Sequence, residues 1–225
     1  MGMEGVKMEA RNFLEIAEIA RQRGAKINVV GAAAQAILES GWGESWLAKE
    51  ANNFFGIKKG SGWNGKTVHK ETSEYTPDEV HYTTVAEWRK YNHSMESFMD
   101  YAALLERPRY AKVIEAVEEG LPVREYIQRI KDAGYATDPH YVDKIMRIIE
   151  AHDMELRYKA ILERSLGRAI NNFNIVDSDG TITIHYKGQH LATFRDDNKQ
   201  IRFDFVCEFL QGLARDALEE KVRWQ

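Results

Sequence analysis

A glutamate lies near the end of the most apolar helical segment of the chain. Glu39 falls on the same helical stripe as Ala32 and Ala36, so an ionisable group shares a face with small apolar side chains. Burial beside this face, and the negative end of a helix that Gly41 and Gly43 would terminate, predict a raised pKa for the Glu39 carboxyl. A neutral carboxylic acid can protonate the leaving oxygen of a glycoside, so general acid catalysis is one interpretation. A solvated glutamate on a partly exposed last turn is the other.

The elements that would position Glu39 follow from the spacing of apolar residues. Asn28 is a typical N-cap residue, and the apolar segment behind it predicts a buried helix over residues 28–40. Between residues 55 and 91, glycines and short β-prone runs predict a small β-lobe of hairpins. Asp138, which precedes Pro139, is expected to cap a helix that starts there and is left out of the catalytic set. Further helices are predicted over residues 9–23, 94–105, 110–117, 122–130, 138–149 and 154–170.

The order of these elements predicts an α+β fold that changes character near residue 155. Residues 8–154 are expected to form a mainly helical domain that contains the β-lobe, and residues 155–225 a small α+β unit. In this second unit Thr181–Tyr186 alternates between polar and apolar residues, which predicts a strand. Returning strands are predicted over 191–194 and 201–205, and a final amphipathic helix over 206–222.

Composition excludes several classes of function. Lys and Arg number 31 and Asp and Glu 35, a net charge of −4, so the chain has no excess of positive charge for nucleic acid. The polar residues 1–7, and the lack of a long apolar stretch elsewhere, predict neither an export signal nor membrane insertion. The seven histidines include no helical pair one turn apart, so neither a metal site nor a cofactor is expected. Cys207 is the single cysteine and is expected to be a buried thiol.

Five segments follow one another in the order of a known family. They are residues 34–43 (AQAILESGWG), 52–58 (NNFFGIK), 88–91 (WRKY), the helix over 97–105, and 133–141 (AGYATDPHY). Together they resemble glycoside hydrolase family 73, the bacterial and phage peptidoglycan endo-β-N-acetylglucosaminidases. The resemblance covers residues 8–152 and implies a lysozyme-like fold, with a substrate cleft between helical and β parts. It implies that the bacterial peptidoglycan glycan strand is the substrate, and it does not extend to the C-terminal unit.

The resemblance also assigns roles to single residues. It implies that Glu39 is the catalytic acid, that Tyr135 lies in the active-site cleft, and that Glu74 is the second acidic residue, with Glu71 as a competitor. A base could activate water for inversion, or the substrate's acetamido group could attack the anomeric carbon, and the sequence does not choose between them. Aromatic side chains in the matching segments could pack on sugar faces or belong to the core; the candidates are Trp42, Trp88, Tyr91 and Tyr141, with Phe55 expected in the core.

Several alternatives stay open after the family resemblance. An N-acetylmuramidase and a lytic transglycosylase need the same acid but leave different product ends, and a non-catalytic glycan-binding module would keep only the cleft. Residues 155–225 could bind wall polymer, form a homo-oligomer, dock to a larger particle or simply pack. Because no export signal is expected, we predict a phage endolysin that stays cytoplasmic until host lysis machinery releases it, or a virion-associated enzyme acting at the cell wall.

Overall fold

A computed structural model of the protein describes residues 8–75, 81–170, 173–178, 181–186 and 189–195. The chain divides into two compact units, Met1–Leu156 and Arg157–Gln225. Within the described residues, no helix is both long and apolar enough to cross a membrane.

Most of the first unit is helical. Its helices are α1 (Ala10–Gln22), α2 (Val29–Ser40), α3 (Trp46–Ala51), α4 (Ser94–Leu105), α5 (Ala111–Glu118), α6 (Val123–Asp132) and α7 (Tyr141–Ala151), with a short 3₁₀ turn at Pro108–Tyr110. Two strands, β1 (Thr67–Tyr75) and β2 (His81–Arg89), lie between α3 and α4. The unit boundary falls within α8 (Met154–Ile170). The predicted helices and the predicted β-lobe are therefore present, and the described part of the lobe is one hairpin.

Helix α2 is the central element of the first unit. The Asn28 side chain caps its start by accepting a hydrogen bond of 2.9 Å from the Gly31 backbone, as predicted. The helix packs against α1, α6 and α7. Gly31 allows the close approach of α6, because a Cβ at this position would lie 2.7 Å from Cδ1 of Tyr126. Gly41, with φ of 55°, ends the helix in the left-handed region just after Glu39 and Ser40.

The hairpin is antiparallel and is anchored at its base. Thr67 pairs with Arg89 at the open end and Tyr75 pairs with His81 at the other. The buried Asn53 side chain donates to the carbonyls of Ile57 and Arg89, each at 2.9 Å, and accepts from the Ile57 backbone at 3.0 Å. These three bonds join the segment after α3 to the end of β2, so the β-lobe starts from a fixed position.

The start of α7 differs from the prediction. The sequence predicted a helix that begins at Asp138–Pro139, whereas α7 begins at Tyr141 with His140 as its N-cap residue. The Asp138 side chain accepts from the His140 backbone at 2.8 Å and from Nζ of Lys144 at 2.6 Å. Asp138 therefore organises a turn ahead of the helix, because a short carboxylate can bond a backbone N–H two residues on.

The second unit contains a three-stranded antiparallel sheet. Its strands are β3 (Phe173–Ser178), β4 (Thr181–Tyr186) and β5 (Gln189–Arg195), in the order β3-β4-β5. The predicted strand over Thr181–Tyr186 is present as β4, and β5 includes the predicted strand at 191–194. The predicted strand at 201–205, the predicted helix at 206–222 and Cys207 lie outside the described residues. The role of residues 155–225 stays a prediction.

Candidate active site

The first unit contains a cleft of about 930 Å³. Its walls come from the end of α2, the loop after α3, the 3₁₀ turn, and the segment from α6 to α7. It is lined by Leu38, Glu39, Phe55, Gly56, Ile57, Lys58, Gly60, Ser61, Gly62, Arg89, Leu104, Arg107, Arg109, Tyr110, Gly134, Tyr135, Ala136, Thr137, Asp138, Tyr141 and Lys144. A cleft of this size can hold several sugar rings.

Glu39 is the penultimate residue of α2 and lies in the cleft wall. Ala32 and Ala36, on the same stripe, are fully buried, whereas the Glu39 side chain is exposed to the cleft. A group on a concave wall can be reached by water and still have protein on most sides. Burial by these walls raises the pKa of the Glu39 carboxyl above its ordinary value, as the sequence predicted, and a hydrogen bond from Tyr141 opposes the rise.

Tyr141 is the direct partner of the Glu39 carboxylate. Its hydroxyl donates to Oε1 of Glu39 at 3.0 Å and accepts from Nε2 of Gln35 at 3.0 Å. The Tyr141 side chain is buried, and burial together with the Glu39 charge raises the pKa of the phenol. The phenol therefore stays a hydrogen-bond donor over the working pH range. The sequence predicted a sugar contact at Tyr141, and the structure places its hydroxyl against the Glu39 carboxylate.

Tyr135 lines the same cleft, next to Tyr141. The two ring centroids lie 6.2 Å apart, and the Tyr135 hydroxyl donates to the Phe55 carbonyl at 3.4 Å, a long bond. Burial raises the pKa of Tyr135 well above its ordinary range. The Arg109 guanidinium donates to the carbonyl of Ala133 at 2.6 Å and to that of Gly134 at 2.7 Å, which holds the loop that carries Tyr135.

Three of the predicted sugar-contacting aromatics are not among the residues that line the cleft. Trp42 packs edge-on against Phe13, at 6.3 Å between centroids, and against His152 at 4.5 Å. Tyr91 is buried, and its hydroxyl donates to Oδ2 of Asp100 at 2.5 Å. The placement of Trp42 and Tyr91 favours packing over sugar contact, because the Trp42 ring contacts two rings distant in sequence and the Tyr91 hydroxyl is bonded to Asp100.

Trp88 differs from these two because it lies close to the cleft lining. It pairs with Val68 across the hairpin, and Nζ of Lys58 lies 5.4 Å above its ring. Its indole Nε1 is buried and has no hydrogen-bond partner in the described part of the chain. A Cβ on Gly56 would lie 3.8 Å from the ring. Trp88 therefore supports the cleft wall formed by Gly56 and Lys58.

The predicted second carboxylate lies on the hairpin. Glu74 is in β1 opposite Tyr82, and its side chain lies outside the described residues. Glu71, opposite Val85, is exposed and is not among the lining residues. The described carboxylates of the lining are Glu39 and Asp138, and the ion pair with Lys144 lowers the pKa of Asp138. The catalytic role of Glu74 therefore stays a prediction.

One polar residue of the site was missed by the sequence reasoning. Gln35 is fully buried on α2, one helical turn before Glu39, and its amide bonds Tyr141. The sequence did contain a signal for Gln35: it is an amide among small apolar residues of a buried helix, and a buried polar group needs a hydrogen-bond partner. In the part of the chain that the structure describes, no group of three or more His, Cys, Asp or Glu side chains is placed to hold a metal ion.

Comparisons with known proteins agree on one family. The model of the glucosaminidase family, described as mannosyl-glycoprotein endo-beta-N-acetylglucosaminidase, matches residues 16–154. The peptidoglycan hydrolase FlgJ of Escherichia coli (strain K12) is 39% identical over 122 residues, which cover 52% of this chain and 37% of FlgJ. The exo-glucosaminidase LytG of Bacillus subtilis (strain 168) is 41% identical over 128 residues, which cover 54% of this chain and 43% of LytG. The matched region is thus less than half the length of either relative.

Solved structures superpose on about two thirds of the chain. The catalytic domain of the autolysin Auto from Listeria monocytogenes superposes with a TM-score of 0.56 at 29% identity, over 69% of this chain and 91% of that domain. A mutant peptidoglycan hydrolase from Sphingomonas sp. A1 superposes with a TM-score of 0.54 at 33% identity, over 67% of this chain and 99% of that chain. The predicted α+β, mainly helical, lysozyme-like fold is therefore confirmed. The chain belongs to the glucosaminidase family, as its resemblance to glycoside hydrolase family 73 predicted.

Proposed function

We propose that the protein hydrolyses the glycan strand of bacterial peptidoglycan at a β-1,4 bond, on the N-acetylglucosaminyl side, with Glu39 as the general acid. The observation that carries the proposal is a carboxyl group in the wall of a sugar-sized cleft whose pKa is raised by burial. The similarity to FlgJ, a peptidoglycan hydrolase, and to LytG, an exo-glucosaminidase, supports the proposed substrate and bond.

The proposed reaction begins with proton transfer from Glu39 to the glycosidic oxygen. The bond between this oxygen and the anomeric carbon then breaks, and the sugar that keeps the anomeric carbon becomes oxocarbenium-like. The raised pKa increases the fraction of Glu39 that is protonated when the strand binds, and the Tyr141 hydroxyl stabilises the carboxylate that remains after transfer. Both surroundings of Glu39 are therefore needed. The cleft walls favour the neutral carboxyl before proton transfer, and the Tyr141 hydroxyl favours the carboxylate after it.

The group that attacks the anomeric carbon is the second part of the proposal. A carboxylate on the hairpin, with Glu74 as the candidate and Glu71 as its competitor, could activate water for inversion. The acetamido group of the substrate could instead attack and later be displaced by water. We retain both routes.

Analysis of product ends tests the proposed bond. Purified peptidoglycan is digested with the protein, reduced with borohydride, and analysed by mass spectrometry. New reduced ends on N-acetylglucosamine are expected. New ends on N-acetylmuramic acid would indicate a muramidase, and anhydro-sugar ends a lytic transglycosylase, and either result would contradict the proposal. A digest with Glu39→Gln controls for contaminating hydrolases.

Removal of the Tyr141 hydroxyl is expected to change the pH profile. In wild type this donor opposes the burial that raises the pKa of Glu39, so Tyr141→Phe should raise that pKa further. The protonated acid would persist to higher pH, and the alkaline limb of kcat/KM should move upward. At the optimum, kcat should fall about tenfold because the remaining carboxylate loses a stabilising bond. Initial rates on solubilised glycan strands across pH measure both effects, and a limb that moves downward would contradict the assignment.

We further propose that the protein acts at the bacterial cell wall, where its substrate occurs. Release by a host lysis system or transport on a virion stays a prediction of the sequence, as does a homo-oligomer formed through residues 155–225.

A further inference from the structure

A chain of hydrogen bonds between side chains runs from the interior of the first unit to Glu39. The Tyr126 and Tyr101 hydroxyl oxygens lie 3.3 Å apart, and the Tyr101 hydroxyl donates to Oε1 of Gln35. Nε2 of Gln35 donates to the Tyr141 hydroxyl at 3.0 Å, which donates to Oε1 of Glu39 at 3.0 Å. Tyr126, Tyr101 and Gln35 are fully buried, so none of their polar atoms can exchange this partner for water.

The donor and acceptor types of these groups give the hydrogen-bond chain a single direction of donation. Oε1 of Gln35 is a carbonyl oxygen and can only accept, so the single hydroxyl proton of Tyr101 is committed to it. The proton between the two phenols must then come from Tyr126.

The other end of Gln35 continues in the same direction. Its Nε2 can only donate, so the Tyr141 oxygen accepts there and the Tyr141 proton is free to point at Glu39. Every proton in the chain is thus donated toward Glu39. The last acceptor is Oε1, and a proton on Oε1 would oppose the Tyr141 proton.

We propose that Tyr101 and Gln35 are positioning residues that fix the direction of this chain, so that Oε1 of Glu39 always accepts and Oε2 carries the proton given to the substrate. The proposal rests on the proposed function of Glu39. If the Gln35 amide were reversed, its carbonyl would take the Tyr141 proton, and Glu39 would donate its own proton to the Tyr141 oxygen. The acidic proton of Glu39 would then be bound to the Tyr141 oxygen and not directed at the substrate.

Tyr101→Phe tests the proposal because it removes the group that commits the Gln35 carbonyl. Tyr101 makes no hydrogen bond to Glu39 or Tyr141 among those described, and its ring stacks on Phe55 at 4.0 Å, a contact that phenylalanine keeps. The Gln35 amide can then reverse, and the neutral form of Glu39 gains a partner. We expect kcat to fall about threefold to tenfold with KM unchanged, and the alkaline limb to move up by about half a pH unit.

Ser97→Ala is the matched control for a merely structural effect. Ser97 is fully buried on α4, one turn before Tyr101, and its hydroxyl accepts from the Phe54 backbone at 3.1 Å. This variant also loses one buried hydrogen bond but leaves the chain to Glu39 intact, so its alkaline limb should coincide with that of wild type. If Tyr101→Phe also keeps the wild-type limb, the proposal is overturned, however far kcat falls.

A pair of Gln35 variants decides the question even if Tyr101→Phe fails to fold. Gln35→Met removes both donor and acceptor, whereas Gln35→Glu, when its buried carboxyl is neutral, keeps one of each. Gln35→Glu should therefore retain more kcat than Gln35→Met on the acid side of the profile, and equal losses would overturn the proposal. Failure of the proposed function itself looks different, because wild type would then release no new N-acetylglucosamine ends.

Discussion

Glu39→Gln is expected to lower kcat/KM on glycan strands by about 10²-fold to 10⁴-fold, the usual contribution of a positioned general acid. Glutamine keeps the size of the side chain and an acceptor for the Tyr141 hydroxyl, but it has no proton to give. Strand binding should persist, because the cleft walls are unchanged. Release of reducing ends from solubilised strands measures the loss, and co-sedimentation with insoluble peptidoglycan measures the binding.

Glu44→Gln is the matched control for this substitution. Glu44 lies five residues along the chain, pairs with Lys49 at 2.5 Å, and is not among the lining residues of the cleft. It should keep wild-type turnover. If both variants keep their activity, Glu39 is not the acid.

Stability separates a catalytic loss from a folding loss. Because the pKa of Glu39 is higher in the folded than in the unfolded chain, its contribution to stability is present below the unfolded value and is lost as pH rises through the folded value. Glutamine does not ionise, so the Glu39→Gln variant should be at least as stable as wild type at pH 8. A Tm well below that of wild type would attribute the loss of activity to unfolding.

Asp100→Ala is expected to have the largest effect on stability, lowering the free energy of unfolding by about 3–5 kcal/mol. Asp100 accepts two bonds from Nη1 of Arg89, at 2.7 and 2.8 Å, and one from the Tyr91 hydroxyl. The side chains of Arg89 and Asp100 are 8% and 17% exposed, so the variant would leave a buried cation without its counter-charge. The cost comes mainly from the unpaired guanidinium.

Urea titration followed by tryptophan fluorescence measures this loss, since the Arg89 guanidinium lies 4.8 Å above the Trp63 ring. Glu118→Ala is the control, because it breaks an ion pair with Lys26 whose side chains are 51% and 57% exposed. Solvent screens such a pair, and no resolvable change is expected. Equal effects in the two variants would contradict the buried-pair argument.

Local sequence signals predicted helix α2 and the position of Glu39 near its end. Asn28 and Gly41 lie at the two ends of α2, and each acts through its own backbone or through residues within one turn. The stripe that carries Ala32, Ala36 and Glu39 is set by helical geometry alone. The apolar face of α2 also predicted the direction of the pKa shift, although the burial that raises the pKa comes from cleft walls distant in sequence.

Long-range contacts account for what the sequence could not predict. Tyr141 lies 102 residues from Glu39 along the chain, and only the packing of α7 on α2 brings its hydroxyl to the carboxylate. Both Tyr141 and Tyr91 are tyrosines in matching segments, so residue type does not show which of them lines the cleft. Tyr141 lines it, whereas the Tyr91 hydroxyl is bonded to Asp100. Helix α7 begins at Tyr141 and not at Asp138, because the Asp138 side chain accepts a hydrogen bond from the His140 backbone in a turn that precedes the helix.

The pKa of the Glu39 carboxyl in the intact protein is the most direct test of the account. Protein labelled with ¹³C at the glutamate side-chain carboxyl is titrated by NMR, and the resonance missing from Glu39→Gln identifies the group. The account predicts a midpoint above the ordinary value of 4.5, and higher still in Tyr141→Phe. A midpoint at or below 4.5 in wild type would show that the cleft stabilises the charged carboxylate and would contradict a general acid at this position.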